Sequence, residues 1–212
     1  MPRVNEHPQK RPVSYLCIMA VLPIVAYGDP ILKKRAEEIE KDHPQLDKLI
    51  EDMFETMYEA NGVGLAAPQV GKSIRLFVVD ASPFAEPEED GTLDERGKGL
   101  EDFKKVFINP VVHNEEGAKW GFKEGCLSIP KIREDVMRNE RVHITWLNEN
   151  FEEQEAVFEG YAARVVQHEY DHLEGVLFTE KISPFRRRMI KGKLSDITKR
   201  TVDVEYAMRF RI

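Results

Sequence analysis

A chain of 212 residues, 42% hydrophobic and 33% charged, can bury a core, and its composition excludes fibrous, low-complexity and membrane-embedded classes. Its net charge of −7 is unevenly spread: residues 181–212 carry ten basic and three acidic side chains, so an acidic body ends in a basic tail that fits either an anionic partner or a solvated helix face. Two cysteines in dissimilar contexts, Cys17 and Cys126, form no disulfide framework and fit a reducing compartment, the cytoplasm.

Lys10-Arg11 and the apolar run Leu16–Ala26 resemble a short signal segment, too short to span a bilayer. The run leads straight into a strand at Val21–Val25 and a turn at Tyr27-Gly28-Asp29-Pro30. We therefore expect residues 1–18 to be a poorly ordered extension, with Met19 a candidate start, a single domain over 19–200 and a tail over 201–212. Leu46, Leu49, Ile50, Met53 and Met57 predict an amphipathic helix with Asp42 as N-cap, ending at Asn61-Gly62. The glycine-rich GVGLAAPQVG follows, then a strand over Ile74–Val79. Residues 81–102 hold eight acids and few apolar groups, which predicts a mobile insertion reaching about residue 103.

Val106–Val112 resumes as a strand. Val142–Trp146 and Gln154–Phe158, joined through Asn148-Glu149-Asn150, predict a hairpin. After Gly160 the spacing becomes helical, with Tyr161, Val165, His168 and His172 on one stripe and Gly175 as the stop. Ser183-Pro184 opens a last helix with Ile190, Leu194 and Ile197 on one side and Arg186, Arg187, Arg188, Lys191 and Lys193 on the others.

The chemistry concentrates in His168-Glu169-Tyr170-Asp171-His172, an H-E-x-x-H pattern. Two imidazoles four residues apart on a helix can grip one metal ion, leaving the glutamate between them as a general base. A catalytic metal needs a third protein ligand. The extended pattern H-E-x-x-H-x-x-G-x-x-H has its glycine at Gly175 but fails at Phe178. Glu180 follows too soon, Glu205 lies beyond the basic tail, and His113 and His143 fit strand positions. Cys126, in Lys123-Glu124-Gly125-Cys126-Leu127-Ser128-Ile129-Pro130, remains, although a free cysteine also serves as a small buried hydrophobe. A thiolate with two imidazoles suits Zn(II), Fe(II), Co(II) or Ni(II).

Gly62-Val63-Gly64-Leu65-Ala66-Ala67 matches a dinucleotide fingerprint in spelling only, because it follows a helix and runs into Pro68. Gly71-Lys72-Ser73 imitates the end of a phosphate-binding loop whose first glycine would fall on Ala66. What remains is a backbone open to close approach, followed by Gln69, a surface amide or a fixed donor lining a cleft.

Taken together, GVGLAAPQ, EGCLS and QHEYDHLEG, in this order, resemble the motifs of peptide deformylases over about residues 20–195. The resemblance implies an α+β fold, with mixed or antiparallel sheets packed around the helix that carries H-E-x-x-H and a C-terminal helix. It implies removal of the formyl group from N-formylmethionyl nascent peptides. Cys126, His168 and His172 would bind the metal, Fe(II) in the cell with Zn(II), Ni(II) or Co(II) as substitutes, and Glu169 would handle protons. Gln69 and the backbone N–H of Leu127 would face the oxyanion. Val63, Gly64 and Glu124 would contact the substrate, and Tyr161 and Val165 would line its methionine pocket. Arg164 departs from the apolar residue common in relatives. The basic helix over 185–200 resembles one that contacts ribosomal RNA, and no DNA or membrane partner is implied. The competing readings are a zinc metallopeptidase and a non-enzymatic RNA-binding protein with a structural metal, which would need a fourth protein ligand.

Overall fold

The structure, a computed structural model, describes residues 20–87 and 91–211, so the expected extension at 1–18, with Cys17 and Met19, lies outside the described residues. Five strands form an antiparallel sheet in the order β2-β3-β4-β5-β6: β2 is Gly64–Ala66, β3 Leu76–Asp80, β4 Lys104–Cys126, β5 Ile129–Leu147 and β6 Glu153–Glu159. Side chains alternate across a strand, and β3 uses both faces. Phe77 and Val79 join Phe107, Val142, Ile144 and Trp146 in a core covered by α2, Gly160–Leu173. Leu76 and Val78 join Leu65, Val106 and Ile108 under α1, Leu46–Glu59, through Met53 and Met57. A third core, around Ile129, Ile132, Val136 and Phe178, is closed by Ile190, Leu194 and Ile197 of α4, Pro184–Thr198; the short α3, Phe178–Lys181, leads into it. The Ser183 hydroxyl caps α4 by accepting from the Arg186 N–H at 3.2 Å.

The longest strands make one hairpin whose turn is Leu127-Ser128, between the paired residues Cys126 and Ile129. Register shifts interrupt it at four places, the last between Glu124 and Cys126, and such bulges bend and twist a strand pair. In β5 the inward row runs through Ile132, Glu134, Val136, Arg138, Val142, Ile144 and Trp146, so the strand begins well before the expected Val142. Likewise β4 continues past the expected Val112 as far as Cys126.

Other expectations are corrected. The N-cap of α1 is Gln45, in a left-handed conformation (φ 55°), not Asp42. Pro44 disfavours a helical His43 and moves the start beyond it. The first strand shrinks to β1, Ile24–Val25, which pairs in parallel with β7, Met208–Arg209, rather than joining the large sheet. The tail after residue 200 thereby returns to the body. The acidic segment packs against the domain through short 3₁₀ turns at Ser82–Ala85 and Glu95–Gly97. Between β6 and α2 there is no loop: Gly160 turns the chain with φ +57°, and a Cβ there would lie 2.7 Å from the Arg96 carbonyl oxygen. Among the described residues no helix is long and apolar enough to cross a membrane.

Phe77 and Phe107 are both fully buried and stack with ring centroids 4.5 Å apart. Truncating Phe77 to alanine should cost about 3–5 kcal/mol of unfolding free energy, read from urea denaturation. Val111→Ala, at an exposed position of β4, should stay within about 0.5 kcal/mol.

Candidate active site

Helix α2 is buried at every residue except Tyr170, although its sequence carries Arg164, Gln167, His168, Glu169, Asp171 and His172. Burying so many polar groups is costly unless they find partners, and each of Arg164, Gln167, His168 and Asp171 finds at least one. Gln167 donates to the carbonyls of Asn139, at 3.0 Å, and Ala163, at 3.1 Å. Asp171 accepts from Arg138 at 2.7 Å and pairs with Lys181 at 2.9 Å. The largest cluster forms on Glu124 of β4. Its oxygens accept from Arg138 at 2.7 and 2.9 Å, from Arg164 at 2.9 Å, and from His168 Nδ1 at 2.9 Å. Burial would raise the Glu124 pKa, but the hydrogen bonds from His168 and Arg138 outweigh it and hold the carboxyl far below its usual range.

With Nδ1 of His168 occupied, its Nε2 is the free ligand atom. Nε2 of His172 lies 3.3 Å from Cys126 Sγ. One donor atom from each of Cys126, His168 and His172 lies within 4.8 Å of the others, the only such group of three or more among the described residues. One soft thiolate and two imidazoles converging on one point fit a divalent transition metal, and three ligands leave a position open. Among the described residues no fourth donor of the kind a closed structural site needs joins this group. Burial opposes a charge on His168, yet Cys126 and Glu124 hold its pKa well above the ordinary value. Burial, then the His168 charge, pushes His172 well below it.

Glu169 stands beside this cluster on the same helix. Burial pushes its carboxyl up to about 7, against the pull of His168 and Arg138. Its Oε2 has no hydrogen-bond partner. Gly64 explains how it fits: a Cβ on Gly64 would lie 2.4 Å from Glu169 Oε1, so the glycine strand and the glutamate occupy space that any side chain would take. Gln69 is buried too, and its Oε1 accepts from the Ala66 N–H at 2.8 Å. That bond fixes the amide, so its NH₂ turns toward Cys126 Sγ and Ser128 Oγ, each at 3.4 Å.

A cleft of about 770 Å³ opens over these groups, walled by Val63, Gly64, Phe84, Phe122, Leu127 and Val165. The structure brings together Cys126, His168, His172, Glu169, Gln69 and Leu127, with Val63, Gly64 and Val165 at the wall. Glu124 lines the cleft as well, its carboxylate oxygens held by Arg138, Arg164 and His168. One expectation changes: Tyr161 was expected to line the cleft, but Phe84 of the acidic segment covers it, the rings stacked 4.5 Å apart, and its hydroxyl donates to Asp94 at 2.8 Å. Arg164 turns to Glu124 and the Trp120 carbonyl and lies over the Trp120 ring at 4.2 Å. His113 and His143 point elsewhere, to Thr145 and Glu155. Sequence reasoning missed Phe84 and Arg138. Phe84 had one signal: it is the only aromatic residue between Val79 and Asp102.

The family model of polypeptide deformylases matches residues 21–188. The peptide deformylase of Christiangramia forsetii is 55% identical over 191 residues, 90% of this chain and 96% of that one. That of Flavobacterium psychrophilum is 52% identical over 189 residues, covering 89% and 96%. The crystal structure of a peptide deformylase from Legionella pneumophila superposes with a TM-score of 0.70 at 36% identity, covering 86% of this chain and 98% of that one. With a family model over most of its length and relatives this similar, the chain belongs to the peptide deformylase family, metal-dependent hydrolases that remove the N-formyl group from nascent polypeptides.

Proposed function

We propose that this chain deformylates N-formylmethionyl peptides with Cys126, His168 and His172 holding one iron(II) ion, Glu169 moving the proton, and Gln69 and the Leu127 N–H receiving the oxyanion. The observation that carries the reading is the convergence of the three donors within 4.8 Å beside a glutamate oxygen that no other group holds. When bound, the ion supplies Lewis acidity, lowering the pKa of a water molecule toward about 7. The thiolate and imidazoles would also accept Zn(II), Ni(II) or Co(II).

Strand β2 is an edge of the large sheet; the Val63 carbonyl accepts from the Asp80 N–H at 3.0 Å, which leaves the outer side of Gly64 open for an extended peptide to add as a strand. The methionine side chain then lies between Val63, Phe84, Phe122 and Val165. Glu169 Oε2 takes a proton from the attacking water, whose oxygen bonds to the formyl carbon. The Gln69 amide and the Leu127 N–H stabilise the charge gathering on the formyl oxygen. Glu169 returns the proton to the amine nitrogen as the carbon–nitrogen bond breaks, releasing formate and a free amino terminus. The formamide is the least hindered of amides, and Gly64 and Glu169 in close contact leave little room for a bulkier carbonyl.

Formate release from a formyl-methionyl peptide, with protein prepared anaerobically with Fe(II), tests this directly. Glu169→Ala should retain the metal and lose at least about 10²-fold in kcat, the lower end for a positioned proton-transfer group. Cys126→Ala should lose the metal as well. A folded, metal-loaded wild type that releases no formate contradicts the assignment.

We place the protein in the cytoplasm, where formylated chains emerge, and propose that residues 185–200 contact ribosomal RNA. Arg186 is bound to Glu134 at 2.7 and 2.9 Å and Arg187 to the Thr179 carbonyl at 2.8 Å. The exposed Arg188, Lys191 and Lys193 therefore carry the charge that can meet phosphate. Replacing these three by glutamate should weaken ribosome co-sedimentation by roughly tenfold or more, steeply with salt, and leave formate release unchanged. Unaltered co-sedimentation would end the docking proposal.

A further inference from the structure

One wall of the cleft is made by Val204, Glu205 and Tyr206 of the C-terminal tail, beyond the residues 21–188 that the family model matches. The tail is anchored there by the β1–β7 pair: the Ile24 N–H donates to the Ala207 carbonyl at 2.8 Å, and the Ala26 N–H to the Arg209 carbonyl at 2.9 Å. Just before this anchor, the Tyr206 hydroxyl donates to the Leu127 carbonyl at 2.7 Å. Just after β1, the Tyr27 N–H donates to the Ser128 carbonyl at 2.8 Å. Residues flanking the two small strands thus hold both carbonyls of the turn that joins β4 to β5. On the opposite side, the Leu127 side chain packs against Gly62, where a Cβ would lie 2.8 Å from Leu127 Cδ1.

We propose that Tyr206 is a positioning residue of the deformylation reaction, its hydroxyl fixing the Leu127–Ser128 turn so that the Leu127 N–H aims at the formyl oxygen. The inference rests on the reading of Leu127 as an oxyanion donor. The turn lies at the tip of a long hairpin, beyond the last paired residues, so contacts from other elements set its orientation. A donor that must meet charge only as it develops acts on the transition state rather than on the bound substrate. A shift of about 1 Å in such a group can cost up to about 10² in rate. Tyr27 restrains the turn through its backbone and Gly62 through packing. Tyr206 alone among these three does so through a side-chain hydroxyl, so one oxygen atom can be removed while the ring stays in place. If Tyr206 merely anchored the tail, its loss would lower the melting temperature and leave kcat alone.

The test is Tyr206→Phe in the full-length, metal-loaded protein, compared with wild type on a formyl-Met-Ala-Ser peptide. The kcat per bound metal should fall about tenfold, with KM within about twofold of wild type. Hydrogen exchange at the Leu127 and Ser128 amides, measured without substrate, should be faster than in wild type. An unchanged kcat, a loss carried by KM alone, or a kcat loss without faster exchange would each overturn the proposal. Wild type run alongside keeps the two questions apart: if it releases no formate, the reading of the whole site fails and Tyr206 with it, whereas the outcomes above concern Tyr206 only.

Discussion

The Glu124 carboxylate is the contact on which the site depends. It is buried, and it accepts from Arg138, Arg164 and His168 at 2.7–2.9 Å. Arg138 comes from β5, and Arg164 and His168 from α2, so one carboxylate ties the hairpin to the helix. Two arginines facing Glu124 and Asp171 balance in charge, which is the condition for keeping such groups out of water. The same contact sets the His168 ring, because an Nδ1 bound to a carboxylate leaves Nε2 as the atom free to bind a metal. Cys126, two residues after Glu124, is carried to the same place by the strand that holds the carboxylate.

Around this anchor the remaining parts are set by close approach. Gly64 lets Glu169 sit against the edge strand, and the edge strand is where an extended peptide can add. Gln69 is locked by the Ala66 N–H so that its NH₂ faces the thiol. Residues flanking the two small strands hold the Leu127–Ser128 turn, and the acidic segment places Phe84 over Tyr161 as a wall. Parts that bear no motif therefore shape the site as much as the motifs do.

Helix α2 was legible because its polar residues follow helical spacing and end at a glycine, and the hairpin to β6 because Val142–Trp146 alternates cleanly. The inner half of β5 was hidden by its own function: Glu134 and Arg138 occupy inward positions that alternation assigns to apolar residues. The outer half of β4 is largely exposed, so it offers no alternation to read. Cys126 stayed ambiguous on residue grounds, since a thiol reads equally as ligand or as core, and only the likeness to a family favoured it. The pairing of β1 with β7 joins residues almost the whole chain apart and has no local signal. Helical spacing put Tyr161 on the right stripe of α2, and the likeness to the family placed it in the pocket, but neither says that another segment lays Phe84 over it.

Metal affinity of Glu124→Gln, measured by chelator competition on protein shown to be folded, tests this account most directly. The amide keeps the shape and removes the charge that orients His168. The account predicts a Kd for zinc or cobalt weaker by about 10–100-fold, the range for an outer-shell partner of a metal-ligating histidine. An affinity equal to wild type would contradict the account, because Glu124 would then be filling space rather than holding the site.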